Sequence, residues 1–423
     1  MSILSGPFWR ISLLNLTAFV VSPVITAPLL GADQAESRAA VVALEAYLKT
    51  PSSERGSIGS NPFSRVPLTR EDAEQAAKLL WEHHAARIHA ERADEMKARE
   101  LQLGELKMKF DLKLFGEKPS GGRSLYISMH GGGNAPARVN DQQWENQKRL
   151  YKLEEGVYVA PRAPTNTWNL WHEAHIDQFF TRLIENLMVV EDVDPNRVYI
   201  LGYSAGGDGV YQLAPRMADQ LAAAAMMAGH PNETSPLGLR NLPFTIHVGG
   251  RDTGYKRNEV AREWEKKLAD LHKADETGYT HLVKLHEDKP HWMGGEDAEA
   301  LPWMAKFTRN PLPSKIVWKQ DDVAHTRFYW LAAAAGDFDE RAEVIARREG
   351  QKVDLESRGF RQLTVRLCDT LLDLEQPLTI TAGGKTLFEG RVDRTIGILA
   401  KTLAERGDPQ AVFCAELTVA MPE

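Results

Sequence analysis

The segment from Val198 to Gly207, VYILGYSAGG, passes from a strong strand pattern into small residues around one serine. Residues 202–206, GYSAG, fit G-x-S-x-G, which marks a nucleophile elbow when a strand precedes it and a helix follows. The turn of such an elbow is so sharp that the residues flanking the serine must be nearly free of side chains. We therefore predict that Ser204 stands exposed at a strand tip; a glycine-rich turn with a solvated serine is the alternative.

Short apolar runs on both sides of this segment are separated by stretches long enough for helices. Strands spaced in this way indicate a mostly parallel, doubly wound α/β sheet. Helices are expected near 176–190, 206–218, 257–273 and 297–307. The apolar runs are LYISM (125–129), VYVA (157–160), VYIL (198–201), LAAAAMMA (221–228), FTIHV (244–248) and HLVKL (281–285).

The chain divides into regions of different composition. Residues 11–30 are apolar and uncharged and precede small residues, which is typical of a secretory signal peptide; an uncleaved membrane anchor is the alternative. Thr69-Arg-Glu-Asp72 is a capping-box pattern and predicts a helix from Thr69 to about Arg99. The predicted regions are a signal peptide (1–32), a partly disordered linker (33–68), a helical extension (69–100), an α/β catalytic domain (101–312) and a small β-rich C-terminal domain (313–423).

The net charge of −7 and the lack of any basic run argue against nucleic acid as a partner, because phosphate binding requires a basic face. The signal peptide predicts a secreted or periplasmic protein with no membrane span in the mature chain. Cys368 and Cys414 could pair in such a protein or remain buried thiols.

A serine hydroxyl needs a base within hydrogen-bond reach, and the base needs a carboxylate that orients it. In a fold with a nucleophile elbow the order along the chain is serine, acid, histidine. Asp252 follows the strand FTIHV and a Gly-Gly turn, and His291 follows the strand HLVKL. We therefore predict Ser204, Asp252 and His291 as the catalytic residues; the rivals are His230, His286, Glu287 and Asp288.

The oxygen of an attacked carbonyl gains negative charge and requires preorganised N–H donors. One candidate donor is the amide of Ala205, directly after the serine. The segment LYISMHGGGNAP places Gly131 and Gly132 after an early strand, where glycines let the backbone turn an N–H toward a substrate. We predict an oxyanion site of Gly131, Gly132 and Ala205; an ordinary glycine turn is the alternative at HGGG.

Aromatic and histidine side chains crowd the segment APRAPTNTWNLWHEAHIDQF, on the same side of the predicted sheet. They suit the wall of a pocket for an acyl or sugar-linked group, although packing against the first helix is an equal alternative. The predicted substrate-binding residues are His130, Tyr203, Trp168, Trp171 and His172.

No metal or other cofactor is predicted. His172 and His175 lie three residues apart, but a third ligand for a metal is not evident.

With the HGGG loop, the elbow, Asp252 and His291, residues 101–310 resemble the α/β-hydrolase superfamily. Within it they are similar to secreted carboxylesterases of the polyhydroxybutyrate-depolymerase and feruloyl-esterase type, with prolyl-oligopeptidase-like hydrolases related. The resemblance implies Ser204 as nucleophile, His291 as general base and then acid, and Asp252 as its orienting carboxylate. The helical extension and the β-rich C-terminal region depart from a minimal member of the superfamily.

The resulting expectation is an exported serine hydrolase that cleaves small-molecule or polymer esters through an acyl-enzyme. One alternative is a serine peptidase of the prolyl-oligopeptidase-like type, although the sequence marks no charged clamp for a peptide terminus. The other is a non-catalytic binding protein on a hydrolase scaffold. The C-terminal region could contact a polymer or a protein.

Overall fold

The central sheet holds eight strands in a computed structural model that describes residues 33–422. Its strands in chain order are β1 Glu100–Leu103, β2 Leu106–Phe115, β3 Arg123–Met129, β4 Gly156–Pro161, β5 Val193–Tyr203, β6 Ala223–Met227, β7 Phe244–Gly249 and β8 His281–His286. They lie in the order β1-β2-β4-β3-β5-β6-β7-β8. Strand β2 is antiparallel to β1 and β4, and every pair from β4 to β8 is parallel. The predicted doubly wound, mostly parallel sheet is confirmed.

Helices cover both faces of this sheet, so strands β4, β6 and β7 are buried along their whole length. A parallel sheet buried on both faces explains why these strands read as continuous apolar runs and do not alternate. The α-helices of the described residues are α1 Gln34–Lys49, α2 Arg70–Glu91, α3 Ala93–Ala98, α4 Ala137–Gln147, α5 Ala174–Val190, α6 Ala205–Arg216, α7 Arg257–Ala274, α8 Ala300–Met304 and α9 Ile396–Arg406.

The prediction of a partly disordered linker over residues 33–68 is wrong. The carboxylate of Asp33 caps helix α1 by accepting hydrogen bonds from two backbone amides, and Ala40, Val41 and Leu44 form its buried stripe. Residues 52–65 form short 3₁₀ turns, and the amide of Leu68 donates to the carbonyl of Arg394 at 2.9 Å. The Ser, Gly and Pro content of this segment serves tight turns that pack on the rest of the chain.

Helix α2 begins as the capping box predicts, because the Thr69 hydroxyl accepts a hydrogen bond from the amide of Asp72. It ends at Glu91, where Arg92 leaves helical geometry, and the short α3 continues from Ala93. The predicted single helix from Thr69 to Arg99 is therefore two helices.

The C-terminal region is rich in β-structure, as predicted. Its strands are β9 Lys315–Lys319, β10 Arg327–Phe328, β11 Leu331–Ala332, β12 Phe338–Glu349, β13 Lys352–Phe360, β14 Gln362–Leu367, β15 Leu378–Ala382, β16 Lys385–Gly390 and β17 Ala415–Ala420. They form two sheets, β10-β11-β14-β17 and β16-β15-β13-β12-β9. Gly383-Gly384 joins β15 and β16, and Thr395 caps α9.

Side chains at the start of this region belong to the core. Trp318 and Trp330 are buried, and the Trp330 indole N–H donates to the carbonyl of Pro313 at 2.8 Å. Cys368 and Cys414 are free thiols, and burial raises the pKa of Cys414 to about 12. The described residues fall into a single compact unit, and the boundary near residue 313 stays a prediction.

The predicted signal peptide, residues 1–32, lies outside the described residues. Within residues 33–422, no helix combines the length and apolar character that crossing a membrane requires.

Candidate active site

Ser204 sits at the junction of β5 and α6 with backbone angles φ 58° and ψ −119°, which a residue with a side chain rarely adopts. The glycines around it are required by close backbone contacts. A Cβ on Gly202 would lie 2.2 Å from the carbonyl oxygen of Gly206, and a Cβ on Gly206 would lie 2.2 Å from the carbonyl oxygen of Met129. This strained, tightly packed turn lifts the serine hydroxyl away from the sheet, as an elbow requires.

Three side chains that are distant in sequence form one hydrogen-bonded chain. Ser204 Oγ lies 3.1 Å from His291 Nε2, and His291 Nδ1 lies 2.6 Å from Asp252 Oδ2. The Asp252 carboxylate is only 3% exposed, whereas the imidazole is 43% exposed. The rival acids Glu287 and Asp288 are exposed to solvent.

Backbone hydrogen bonds hold the acid in place after β7. The amide of Asp252 donates to the carbonyl of Gly249 at 2.9 Å, and the amide of Asn258 donates to the carbonyl of Asp252 at 3.1 Å. The guanidinium of Arg257 lies 3.6 Å from the second carboxylate oxygen. The turn after β7 and the first residues of α7 therefore hold Asp252 so that its Oδ2 faces the imidazole of His291.

Tyr203 ties the elbow to the histidine loop. Its hydroxyl donates to the carbonyl of His291 at 2.7 Å and accepts from the amide of Met293 at 3.0 Å. The residue was predicted to bind substrate. It does line the cleft described below, and its hydroxyl is used to position the loop that carries the imidazole.

The glycines after β3 bring backbone close to the serine. A Cβ on Gly131 would lie 3.2 Å from the Cβ of Ser204, and Gly132 has a φ of +109°. Asn140 secures this loop, because its carbonyl oxygen accepts from the amide of Gly133 at 2.8 Å. Ala205 is the first residue of α6, where backbone N–H groups have no partner within the helix. Both predicted sources of oxyanion donors thus border Ser204.

His130 is buried, so its predicted contact with substrate is wrong. Its Nδ1–H donates to the carbonyl of Gly131 at 2.6 Å, and its Nε2 accepts from the amide of Ala163 at 3.2 Å. Burial lowers its pKa to about 3, which keeps the ring neutral in this tautomer. The residue shapes the glycine loop from below and does not reach the cleft.

A cleft of about 490 Å³ opens over Ser204, which is within the usual size of a small-molecule site. The predicted aromatic wall is wrong, because Trp168, Trp171 and His172 do not line it. Trp171 is fully buried and donates its indole N–H to the carbonyl of His130, His172 is 5% exposed, and Trp168 covers His172 from the solvent side.

The wall of the cleft comes instead from α4 and its C-terminal extension, and from the residue after the histidine. The residues of this wall could not be predicted from the sequence, because α4 is a polar helix without a motif. A helix that directly follows the glycine loop was the available signal. The cleft is lined by Gly131, Gly132, Gln143, Asn146, Gln147, Leu150, Tyr203, Ser204, His291 and Trp292.

A second cavity of similar volume, about 480 Å³, lies between helices α2 and α5 and the C-terminal region. Its lining is rich in charged groups, including Arg87, Asp177 and Arg406, and contains none of the three hydrogen-bonded residues. The cleft over Ser204 is therefore the candidate active site, because of these two cavities only this one contains a hydroxyl that is hydrogen-bonded to a histidine.

Comparisons with known proteins bear on the fold and on the general class of protein. Residues 154–291 match the model described as the dienelactone hydrolase family, a segment that includes Ser204, Asp252 and His291. A bifunctional acetylxylan esterase/xylanase from Neocallimastix patriciarum is 29% identical over 129 residues, which are 30% of this chain and 18% of that protein. The match thus spans less than a fifth of the curated relative.

Two solved structures illustrate the structural likeness. A thermostable esterase shares 20% identity, with 50% of this chain and 62% of that chain covered and a TM-score of 0.39. A feruloyl esterase module from Clostridium thermocellum, complexed with sinapinate, shares 13% identity over 49% of this chain and 86% of that chain, with a TM-score of 0.35.

The order of the central sheet, the strand–turn–helix at Ser204 and the family match identify the α/β-hydrolase fold. They support a hydrolytic enzyme.

Proposed function

We propose that this chain is an exported serine hydrolase that cleaves carboxylic esters through an acyl-enzyme. The observation that carries the proposal is the continuous chain from Ser204 Oγ to His291 Nε2 at 3.1 Å and from His291 Nδ1 to Asp252 Oδ2 at 2.6 Å. A buried carboxylate at that distance holds the imidazole with a proton on Nδ1, so that Nε2 presents a lone pair to the hydroxyl.

In the first half-reaction, Ser204 Oγ attacks the ester carbonyl while His291 Nε2 takes the hydroxyl proton. The tetrahedral intermediate collapses when the C–O bond to the alcohol breaks, and His291 returns that proton to the departing alkoxide. An acyl group then remains on Ser204. Asp252 stabilises the imidazolium that exists between these two proton transfers and stays ionised throughout.

In the second half-reaction, a water molecule replaces the alcohol. His291 accepts a proton from the water as its oxygen attacks the acyl carbon, and then donates a proton to Ser204 Oγ as the acyl bond breaks. The carboxylic acid leaves and the hydroxyl is restored. These steps need no metal and no organic cofactor.

The oxyanion of both tetrahedral intermediates belongs between the glycine loop and the start of α6. The amides of Gly131, Gly132 and Ala205 are the proposed donors. A Cβ on Gly131 would lie 3.2 Å from the Ser204 Cβ, and this closeness supports the proposal, because a carbon bonded to Ser204 Oγ would be near this loop. Donors fixed in a backbone need no reorganisation as charge develops, and each such donor is typically worth a factor of about 100 or more in rate.

The lining of the cleft favours an uncharged substrate. Among the described residues that line it there is no Asp, Glu, Lys or Arg, while Leu150 and Trp292 supply apolar surface. Gln143 and Asn146 can hydrogen-bond to polar groups of an acyl or alcohol portion. These properties suit neutral esters better than a peptide held by a charged terminus.

The purified protein, treated with a fluorophosphonate probe, is expected to gain one adduct per chain on the peptide that contains Ser204. It is also expected to hydrolyse p-nitrophenyl acetate and butyrate, and to cleave an ester much faster than the amide with the same acyl group. Intact-mass and peptide mass spectrometry read the first result and absorbance reads the second. An amide turned over as fast as its ester would favour a peptidase, and lack of labelling would favour a non-catalytic scaffold.

Export is proposed on the pattern of residues 11–30. We express the full chain, including residues 1–32, in a bacterial host. The mature protein is expected outside the cytoplasm, with a new N-terminus near residue 32. Cell fractionation and N-terminal sequencing measure this. An unprocessed chain that remains with the membrane or cytoplasm contradicts it.

A further inference from the structure

A second cluster of ligand-type side chains lies at the ends of strands β7 and β8, apart from the Ser204 cleft. His247 Nδ1 is 3.3 Å from His286 Nε2 and 3.6 Å from Glu299 Oε1, and His286 Nε2 is 3.9 Å from the same oxygen. Nothing in the proposed reaction uses these three side chains.

The three atoms are spaced as ligands around one metal ion. A triangle with these sides has a circumradius of about 2.1 Å, so one point lies at that distance from all three atoms, which is the length of a Zn–N or Zn–O bond. Two imidazole nitrogens and one carboxylate oxygen also form a ligand set that zinc favours.

The hydrogen bonds on the far sides of the two rings direct their lone pairs toward each other. The Thr245 hydroxyl donates to the carbonyl of Leu282 at 3.0 Å, so toward His247 Nε2, also at 3.0 Å, it acts as an acceptor. His247 therefore carries its proton on Nε2. His286 Nδ1 faces the Glu296 carboxylate at 3.3 Å and carries its proton there.

Both His247 Nδ1 and His286 Nε2 are then unprotonated and face each other at 3.3 Å. Two lone pairs at that distance repel unless a proton or a metal cation lies between them. A cation between the two nitrogens would also meet the Glu299 carboxylate, whose Oε1 lies 3.6 Å from His247 Nδ1 and 3.9 Å from His286 Nε2. Partners that fix the tautomer from outside are the usual second layer of a histidine metal site.

The burial of the two histidines and the charge of the glutamate also favour a bound cation. The side chains of His247 and His286 are 0% and 1% exposed, whereas Glu299 is 39% exposed. Lys284 Nζ lies 2.5 Å from Glu299 Oε2, the oxygen that does not face the histidines. The lysine thus holds the carboxylate by one oxygen and leaves the other directed at the imidazoles, and the cluster is open to solvent on the glutamate side.

We propose that His247, His286 and Glu299 bind one Zn²⁺ ion, with a water molecule from the open side as fourth ligand. His286 ends β8 and Glu299 lies beyond the loop of residues 287–295, so the ion joins both ends of the loop that carries His291. His247 adds β7, the strand before the Asp252 turn. The ion has a structural role and takes no part in bond breaking.

The test measures zinc directly in the purified full chain. After metal removal, addition of Zn²⁺ and desalting, mass spectrometry of the metal content is expected to show one zinc per chain. Co²⁺ in place of Zn²⁺ is expected to give the intense visible bands of a four-coordinate site. Zn²⁺ is also expected to raise the Tm of the metal-free protein, because an ion that binds only the folded state stabilises it.

Variants separate this site from adventitious binding. Glu299→Gln, at a partly exposed position, is expected to weaken Zn²⁺ binding at least about tenfold in a competition with a fluorescent chelator. Glu287→Gln removes the same charge from an exposed side chain of the same loop and is expected to leave affinity unchanged. Ser204→Ala and His291→Ala are expected to keep one zinc per chain, since they lie outside the site.

Two results would overturn the proposal. One is a wild-type protein that holds no zinc at 100-fold excess of the metal over protein. The other is binding that survives Glu299→Gln undiminished or disappears with His291→Ala, which would place the ion elsewhere.

Discussion

Replacement of Ser204 by alanine is expected to lower kcat for p-nitrophenyl butyrate by about 10⁶-fold, equivalent to about 8 kcal/mol of transition-state stabilisation. The acyl-enzyme route has no path without the hydroxyl. What remains is the contribution of the oxyanion donors and of binding, which in such enzymes amounts to about 10³–10⁴ over the reaction in water. The rate is measured by absorbance at substrate concentrations above KM.

The variant is expected to fold. Alanine retains the Cβ of serine and meets the same backbone angles, φ 58° and ψ −119°, so the strain of the turn is unchanged. The Ser204 side chain lines the cleft, and alanine removes only its hydroxyl, which hydrogen-bonds to His291 Nε2. Far-UV circular dichroism and Tm should match those of the wild type.

Ser120→Ala is the matched control, because Ser120 is an exposed serine in the loop before β3, away from the elbow. Its kcat is expected within about twofold of wild type, as for most surface changes. If Ser204→Ala keeps more than 1% of wild-type kcat while folded, the activity arises from another group and the assignment of the nucleophile is wrong.

The fold could be predicted because strands β4, β6 and β7 are buried on both faces of the sheet. Strands of this kind are continuous apolar runs in the sequence. The relation of Ser204, Asp252 and His291 could be predicted because the strands that carry them end at one edge of a parallel sheet. Chain order then states which acid and which histidine meet.

The substrate wall could not be predicted from composition. The aromatic segment near Trp171 suggests a pocket wall, but the indole of Trp171 packs inward against His130. The wall of the cleft is formed instead by Gln143 and Asn146 on α4. This helix is polar, and its side chains show no periodic pattern or chemical motif. Which face of such a helix borders a cleft depends on how the glycine loop before it turns.

The histidine pair was missed for a different reason. His247 and His286 are 39 residues apart, a spacing that matches no metal motif. They meet because β7 and β8 are parallel neighbours in a register that pairs His247 with Lys284 and Gly249 with His286. Register between strands is set by packing across the whole sheet and is not readable from either strand alone.

The N-terminal helix α1 does have a signal in the sequence. Asp33 precedes a stretch with Ala40, Val41 and Leu44 at helical spacing, which is a capped amphipathic pattern. The Ser, Gly and Pro content of residues 50–66 led to a linker prediction for the whole of 33–68. Turn-forming composition does not distinguish an ordered series of 3₁₀ turns from a free linker.

Asp252→Asn is expected to lower kcat by about 10⁴-fold, or about 5.5 kcal/mol, with a smaller change in KM. The carboxylate accepts the Nδ1–H of His291 at 2.6 Å and so holds the lone pair on Nε2 toward Ser204. An asparagine side chain can donate its N–H₂ to Nδ1 instead. The imidazole proton then moves to Nε2, where it donates toward the serine oxygen and the ring can no longer act as a base.

The geometry of the site should survive this change, because asparagine has the same shape as aspartate. Arg257 loses the negative charge 3.6 Å away, so a modest fall in Tm is expected. Labelling by the fluorophosphonate probe should slow in parallel with kcat, since the same base activates the hydroxyl in both reactions. Crystallography or Tm measurement distinguishes an intact variant from a misfolded one.

Asp288→Asn is the control for this prediction, because Asp288 is an exposed carboxylate on the histidine loop itself. It removes the same charge close to His291 without touching Nδ1, and its kcat is expected within about twofold of wild type. If negative charge near the imidazole had only a general effect, kcat would fall by the same factor in both variants. If Asp288→Asn shows the large loss and Asp252→Asn the small one, the orienting acid is Asp288, and the turn after β7 serves only to support the loop.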